Sequence, residues 1–143
     1  MKMYTVKQAA ELTGLSVHTV RFYDDNNLIH GVTRNKTNQR MFDDEAIEWL
    51  YICKVMRRAG LSLKEIRKYG DLYSEGDKTI PQRLEIIRQR HKKAEAEMES
   101  IKIRIDVLEA KLCHYENLMQ GKPDIWTHDF VISSIEKEKR SAE

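Results

Sequence analysis

The residues best suited to covalent or redox chemistry in this sequence are its two cysteines, Cys53 and Cys113. They lie far apart and do not form a CxxC pair, so the sequence predicts no disulfide framework. Cysteine use of this kind is typical of a reducing compartment. A reactive thiol would need access to solvent and a lowered pKa, and neither property is visible in the sequence.

Motifs for catalysis form the second group of chemical signals. The sequence contains no glycine-rich phosphate loop, no HExxH motif, no serine elbow and no clustered pair of acids. We therefore predict that the protein is not an enzyme and that it uses no cofactor.

Positive charge is the remaining chemical feature, and it is concentrated in the first half of the chain. Residues 1–70 carry 12 Lys and Arg against 8 Asp and Glu, whereas residues 71–143 carry 13 against 15. Within residues 30–42 there is no acid, and there are three bases: Arg34, Lys36 and Arg40. The excess of four positive charges favours a polyanion as partner, but alone it does not identify nucleic acid.

Two short helices must position the first part of this basic half. Thr5 and Gln8 have the spacing of a capping box, and Ser16 is a good N-cap for a second helix. Gly14 lies between them and supplies a tight bend. Two helices joined by a short turn that contains glycine form a helix-turn-helix.

The second helix carries candidate binding residues. Val17 and Val20 share one face, which we expect to enter the core, and this leaves His18, Thr19 and Arg21 on the other faces. His18 is a candidate for contact with base edges, and the alternative is an ordinary histidine on the protein surface.

The basic segment at 30–42 follows these helices. Residues 32–33 and 41–42 favour the two arms of a short hairpin, with turn-forming residues between them. A basic hairpin behind a helix-turn-helix is a wing, whose bases would approach backbone phosphates. The alternative is a solvated basic turn.

Two further helices complete the predicted domain at residues 1–70. Asp43 is an N-cap for the third helix, and Gly60 ends it. Ser62 and Glu65 form a second capping box, which opens a fourth helix that we expect to end at Gly70. Residues 71–79 are predicted to be a linker.

A long helix over residues 80–120 dominates the second half. Its apolar residues recur at alternating spacings of three and four, which is a heptad seam of about five repeats. The predicted seam consists of Leu84, Ile87, Met98, Ile101, Ile105, Leu108, Leu112, Tyr115 and Met119. An apolar stripe must be buried, and the chain has no second long helix, so we predict a homodimer. Residues 121–143 are predicted to be a partly disordered tail.

The sequence also gives information about location. No run approaches the ~20 apolar residues that a membrane span needs, and the first residues lack the apolar stretch of a secretory signal. We therefore expect a cytoplasmic protein that does not insert into a membrane.

The front half resembles the MerR family of transcription regulators. The resemblance rests on TVKQAAELTGLSVHTVRFYDDNNLI at 5–29, QRMFDDEAIEWL at 39–50 and MRRAGLSLKEI at 56–66. It implies a mainly α fold, with a winged helix-turn-helix domain followed by a long antiparallel coiled-coil helix that dimerises. It also implies a homodimer that binds a pseudo-palindromic promoter site in double-stranded DNA and distorts it for RNA polymerase in response to a signal.

The same resemblance implies roles for individual residues. Arg21 and Tyr23 match family positions that contact DNA, and Arg40 matches the arginine at the end of the wing. The alternative for Tyr23 is a packing residue. Together with the residues chosen above, the expected DNA-binding set is His18, Thr19, Arg21, Tyr23, Arg34, Lys36 and Arg40. Asn27 stands where the family often has Gly, and asparagine tolerates the left-handed conformation that such a turn needs.

Some members of this family sense metals or electrophiles through cysteines. Cys113 lies within the coil and no cysteine follows it, so the pattern of the metal sensors is missing and we predict no metal site. Cys53 and Cys113 remain candidates for a thiol sensor, although we favour inert packing. His114, Tyr115, Trp126 and His128 are candidates for a small effector site, and we favour packing at the dimer interface for them as well.

Two other functions stay open at this point. An architectural or excisionase-like DNA-binding protein would share the winged helix, but it would need neither effector control nor a long coil. A coiled-coil adaptor would use its front domain to bind protein rather than DNA.

Overall fold

The computed structural model describes residues 2–143 and is mainly helical, as predicted. It divides into two compact units, which meet in the sequence at Ala94 and Glu95. The elements are β1 (Tyr4–Thr5), α1 (Val6–Thr13), α2 (Val17–Asp25), β2 (Val32–Arg34), β3 (Arg40–Phe42), α3 (Asp44–Arg58), α4 (Leu63–Ser74), a 3-10 turn (Asp77–Thr79), α5 (Ile80–Met119) and α6 (His128–Ser141).

The predicted start signals of the first four helices are confirmed. Thr5 and Gln8 form a reciprocal capping box at α1, and Ser62 and Glu65 form another at α4. The Ser16 hydroxyl accepts a hydrogen bond from the backbone N–H of Thr19, and the Asp43 carboxylate accepts one from Ala46. Each bond satisfies a backbone donor that lacks a partner inside the helix, which fixes where the helix begins.

A small antiparallel sheet holds the wing, in the strand order β1-β3-β2. Val32 pairs with Phe42 and Arg34 with Arg40, which confirms the predicted hairpin. The sequence did not predict β1, whose residue Tyr4 also pairs with Phe42. Through this third strand the wing is tied to the residues that open α1.

The core of the first unit lies between α1, α2, α3 and the sheet. Phe42, Leu50 and Val20 are completely buried at its centre, and Leu61 and Ile66 close it from the side of α4. The turn after α2 has Asn27 at a φ of 58°, the left-handed conformation expected for this residue. Buried side chains of α1, α2, β3, α3 and α4 form this core, and the partly buried Tyr4 of β1 and Val32 of β2 pack against it, which fixes the relative positions of α2 and the wing.

The fourth helix differs from the prediction, because α4 does not end at Gly70. Gly70 is buried, and a Cβ atom there would lie 3.4 Å from the ring of Trp49, so the glycine permits close packing of α4 on α3. The helix continues to Ser74, and a 3-10 turn follows at 77–79. The segment 71–79 is therefore largely helical rather than an extended linker.

The long helix α5 runs from Ile80 to Met119, close to the predicted bounds of 80–120. The tail after it differs from the prediction of partial disorder, because α6 spans His128–Ser141 and Thr127 caps its first turn. Phe130, Val131 and Ile135 give this helix apolar residues at helical spacing, a local pattern that favours a helix. No helix within residues 2–143 combines the length and apolar character needed to cross a membrane.

Candidate nucleic-acid interface

One side of α2 faces solvent and presents the residues chosen from the sequence. Val20 is buried, whereas His18 and Arg21 are exposed, as the face assignment predicted. Thr19 is half-buried, and its hydroxyl oxygen accepts a hydrogen bond of 2.8 Å from the Ser16 hydroxyl. The exposed face of α2 thus carries a guanidinium and an imidazole ring, groups that can contact phosphates and base edges.

For Tyr23 the structure favours the packing alternative over the predicted contact with DNA. Only 6% of this residue is exposed, and its ring belongs to the core of the first unit. Burial raises the pKa of the Tyr23 hydroxyl, the neighbouring Cys53 adds to the shift, and Arg57 opposes it. Tyr23 is a packing residue here because α2 turns it towards α3, a direction that the sequence pattern left open.

The tip of the wing is an ordered turn. The Asn35 side-chain oxygen accepts hydrogen bonds from the backbone N–H groups of Thr37 and Gln39, at 3.0 and 2.9 Å. Arg34 donates across the hairpin to the carbonyl oxygen of Asn38 at 3.0 Å. Lys36 is exposed at this tip. The wing therefore holds two cations, Arg34 and Lys36, beside a turn that the Asn35 side chain orders.

A groove of about 360 Å³ lies where α1, α2 and the wing meet. Four of the side chains along it are basic: Lys7, Arg21, Arg34 and Arg40. Such a cluster attracts an anion, and the residues that open α1 add backbone N–H groups of a helix N-terminus. Sequence reasoning missed Lys7, because only the pairing of β1 with β3 brings it beside the wing.

Arg40 has partners within the protein. Its Nη1 donates to the Arg21 carbonyl oxygen at 3.1 Å and to Asp24 Oδ2 at 3.2 Å, and its Nη2 donates to Asp25 Oδ1 at 2.7 Å. Its side chain is 15% exposed. The prediction that Arg40 reaches out to a phosphate does not match this arrangement, in which the side chain joins β3 to α2.

The predicted dimerisation residues share one property, which is exposure along α5. Their exposed fractions run from 40% for Ile87 to 89% for Met119. These residues are Leu84, Ile87, Met98, Ile101, Ile105, Leu108, Leu112, Tyr115 and Met119. A single chain therefore leaves the whole predicted seam in contact with water.

The two candidate sensor cysteines differ in their surroundings. Cys53 is completely buried in the core, and burial raises its pKa to about 12. Cys113 is exposed on α5. Residues 2–143 contain no group of His, Cys, Asp and Glu side chains arranged to hold a metal ion. Cys53 therefore lacks both properties of a reactive thiol, whereas Cys113 has access to solvent.

Three of the four candidate effector residues come together in the second unit. His114 is 6% exposed, its Nε2 lies 3.2 Å from Asp124 Oδ1, and its ring packs edge-on against Trp126. Tyr115 packs beside His114, with ring centroids 5.3 Å apart, whereas His128 is exposed. These contacts anchor the segment after α5 to the end of that helix.

Comparison with known families identifies the first unit and most of α5. The profile of the MerR HTH family regulatory proteins matches residues 4–71, and the profile for MerR DNA binding matches residues 47–111. The groove and the exposed face of α2 lie inside the first match. The start of the α5 seam lies inside the second.

Individual relatives agree with these profiles. An uncharacterised HTH-type transcriptional regulator of Haemophilus influenzae is 34% identical over 79% of this chain and 84% of its own length. The HTH-type transcriptional regulator AdhR of Bacillus subtilis is 38% identical over 57% of this chain and 59% of its own length.

A solved structure extends the likeness to the fold. The crystal structure of HiNmlR, a MerR family regulator lacking the sensor domain and bound to promoter DNA, is 33% identical in sequence to this chain. It superposes with a TM-score of 0.66 and covers 85% of this chain and 92% of its own. With the winged helix-turn-helix and the long helix both in place, this chain belongs to the MerR family of transcription regulators.

Proposed function

We infer that this protein is a transcription regulator that binds double-stranded promoter DNA in the cytoplasm as a homodimer. The observation that carries this proposal is the groove between α1, α2 and the wing, where Lys7, Arg21 and Arg34 converge. Phosphate contacts supply most of the affinity of a DNA-binding protein and fix its register on the duplex. The promoter DNA in the HiNmlR structure supports the same reading.

The exposed face of α2 is the part that would read sequence. A recognition helix enters the major groove and places the side chains of its first turns against base edges. His18 and Thr19 lie in the first turn of α2, and Arg21 follows one position after the buried Val20. We assign base contacts to His18 and Thr19, and phosphate contacts to Arg21, Arg34 and Lys36.

The dimer would set the distance between two such surfaces. Two copies of α5 that bury their seams against each other place two identical domains at a fixed separation, which matches a pseudo-palindromic site. The exposed apolar residues from Leu84 to Met119 support this pairing, because an unpaired stripe of that length is unstable in water.

The consequence for transcription follows from the family resemblance. The dimer would distort the promoter so that RNA polymerase can use it, and the sequence-dependent cost of that deformation would contribute to specificity. If the signal acts through a thiol, Cys113 is the exposed candidate of the two cysteines. No catalytic step is assigned to any residue, and the protein is proposed to act through binding alone.

DNase I footprinting tests the proposal. The probe is the duplex immediately upstream of the protein's own coding region, with and without a thiol-reactive aldehyde. We expect a protected pseudo-palindrome whose affinity falls steeply as salt rises. Protection that is missing at every salt concentration would contradict the proposal.

In vitro transcription separates the regulator from an architectural protein. A regulator changes the yield of transcript from a promoter that contains the footprint, whereas an excisionase-like protein protects the DNA without changing transcription. An adaptor that binds protein gives neither result. The same preparation of protein should be used for both assays, so that the two results refer to one dimeric state.

A further inference from the structure

The guanidinium of Arg40 joins the wing to the recognition helix. Arg40 is the first residue of β3, and all three of its acceptors lie on the second half of α2. Within residues 2–143, the ion pairs that join the wing to α2 are those of Arg40 with Asp24 and Asp25. Arg40 also lines the basic groove, together with Arg21 of α2 and Arg34 of the wing.

The arrangement leaves Arg40 little capacity to bind DNA. Three of its five N–H donors are committed, and 15% of its side chain is exposed. Its charge faces two carboxylates, Asp24 and Asp25, at hydrogen-bond distance. A phosphate that approached Arg40 would have to replace an ion pair or meet the carboxylates.

The carboxylates in turn need Arg40. The Asp24 side chain is only 19% exposed, and burial raises its pKa while Arg40 lowers it. Without Arg40, Asp24 would keep only the weaker attraction of Arg34, and two neighbouring acids would stand beside a groove that is to hold phosphate. A partly buried carboxylate without its cation is also costly for the fold.

We propose that Arg40 is a positioning residue, which fixes the wing on α2 through Asp24 and Asp25 and does not itself contact DNA. The Arg21 carbonyl is its third anchor, so the residue that would bind phosphate from α2 and the strand that carries the wing are held as one piece. This inference rests on the proposed function, because the purpose of the contact is to bring Arg21 and Arg34 to one phosphate path.

A double-mutant cycle on DNA affinity tests the proposal. The probe is a short duplex of random sequence at low salt, because phosphate contacts do not depend on sequence. We expect Arg40→Gln to weaken binding by about tenfold or more in the natural sequence, and by about threefold or less in the background carrying Asp24→Asn and Asp25→Asn. A direct phosphate contact predicts the opposite, since Arg40 freed from both acids would bind phosphate better and its loss would cost as much or more.

Lys36→Gln is the matched control. Lys36 is an exposed cation of the wing, and it forms no ion pair with Asp24 or Asp25. Its effect should be the same in both backgrounds. A cycle in which Arg40 behaves as Lys36 does would overturn the proposal.

Hydrogen exchange on the free protein judges the proposal independently of DNA. We expect Arg40→Gln to speed exchange at the amides of β2 and β3 by about tenfold, while the amides of α3 keep their protection. Asp25→Asn should produce part of the same change, and because this side chain is 61% exposed the substitution should not unfold the protein.

Unchanged exchange in the wing would refute the positioning role of Arg40. If DNA binding is normal in that case, the proposed function still stands. If the natural protein fails to bind any duplex, the proposed function falls and the exchange result still decides the role of Arg40.

Discussion

The two units of this protein treat their apolar residues in opposite ways. In the first unit, Phe42, Leu50 and Cys53 are buried completely, and helices α1 to α4 share one core. In the second unit, which begins at Glu95 within α5, the apolar residues are mostly exposed, and His114 is the residue that is buried. The first unit has a core of its own, whereas the second exposes the apolar residues that we propose to be half of an interface.

This difference assigns separate tasks to the two halves. A rigid domain can hold a cationic groove and a recognition helix in a fixed geometry, because its shape is set by its own packing. A long helix with an open seam is completed by a partner, and its geometry becomes fixed only in the assembly. In the proposed function, one chain supplies each DNA-binding surface, and the dimer sets the spacing between two such surfaces.

Each unit contains one cysteine, and the difference between the alkylation rates of Cys53 and Cys113 is the largest effect that we expect. The rise in the pKa of Cys53 from 9.0 to about 12 lowers its thiolate fraction about 1000-fold near neutral pH. Because Cys113 is exposed and Cys53 is buried, iodoacetamide should label Cys113 faster by orders of magnitude in the folded protein. Mass spectrometry of quenched samples measures both rates, and in urea the two cysteines should react alike. Similar rates in the native protein would show that the first core is open.

A cavity in the first unit should cost more than any truncation on its surface. Phe42→Ala should lower the free energy of unfolding by about 3–5 kcal/mol, because Phe42 ends strand β3 of the wing and its side chain is completely buried in the core. Leu12→Ala, at a site that is 60% exposed, should change it by about 0.5 kcal/mol or less. Urea unfolding at one fixed protein concentration measures both. A small loss for Phe42→Ala would mean that the first core is not the source of stability.

A charge on the α5 seam should break the assembly without unfolding the first unit. Leu108→Asp should weaken the dimer by about 100-fold or more, since burying an unpaired carboxylate in an apolar interface is costly. Val107→Asp is the control, because Val107 and Leu108 are 56% and 61% exposed on one chain but only Leu108 lies on the seam. Dilution experiments followed by sedimentation measure both. Equal effects would show that the heptad assignment is wrong.

The ion pair that joins α4 to α5 should give the smallest effect and a defined pH dependence. Burial alone would raise the pKa of Glu65, but hydrogen bonds from Ser62 and the charge and hydrogen bond of Arg90 together lower it. A lowered pKa in the folded state means that the stabilisation is present above about pH 4.5, the ordinary value, and is lost as the pH falls through the folded value. Glu65→Gln should therefore cost about 1 kcal/mol or less at pH 7 and almost nothing near pH 3.

The exposed Glu48 supplies the comparison for that experiment. Glu48→Gln should leave the urea midpoint nearly unchanged at both pH values, because this side chain lies on the open face of α3. A cost for Glu65→Gln that persists at low pH would contradict the electrostatic account of the contact.

The features that could be predicted from the sequence are those set by neighbouring residues. Helix starts at Thr5, Ser16 and Asp43 depend on side chains three positions from the amides that they cap, so the spacing alone predicts them. The heptad seam is equally local, because the spacing of its apolar residues does not depend on the rest of the fold. The wing was predicted from turn-forming residues between two short arms at 32–33 and 41–42, and the family resemblance implied the same element.

The features that could not be predicted depend on contacts between distant residues. The burial of Tyr23 is set by how α2 turns against α3, and the partners of Arg40 lie 15 to 19 residues earlier in the chain. Lys7 joins the groove only because β1 pairs with β3. Gly70 does not end α4, because a close approach to Trp49 uses the same glycine that suggested a helix end.

Sedimentation equilibrium of the full chain at micromolar concentration tests most directly whether two copies bury the α5 seam together. The account predicts a particle of twice the 16.9 kDa chain mass, and it predicts that Leu108→Asp shifts this particle towards the single chain while Val107→Asp does not. A natural sequence that sediments at 16.9 kDa throughout that range would contradict the account, because two DNA-binding surfaces would then have no fixed separation.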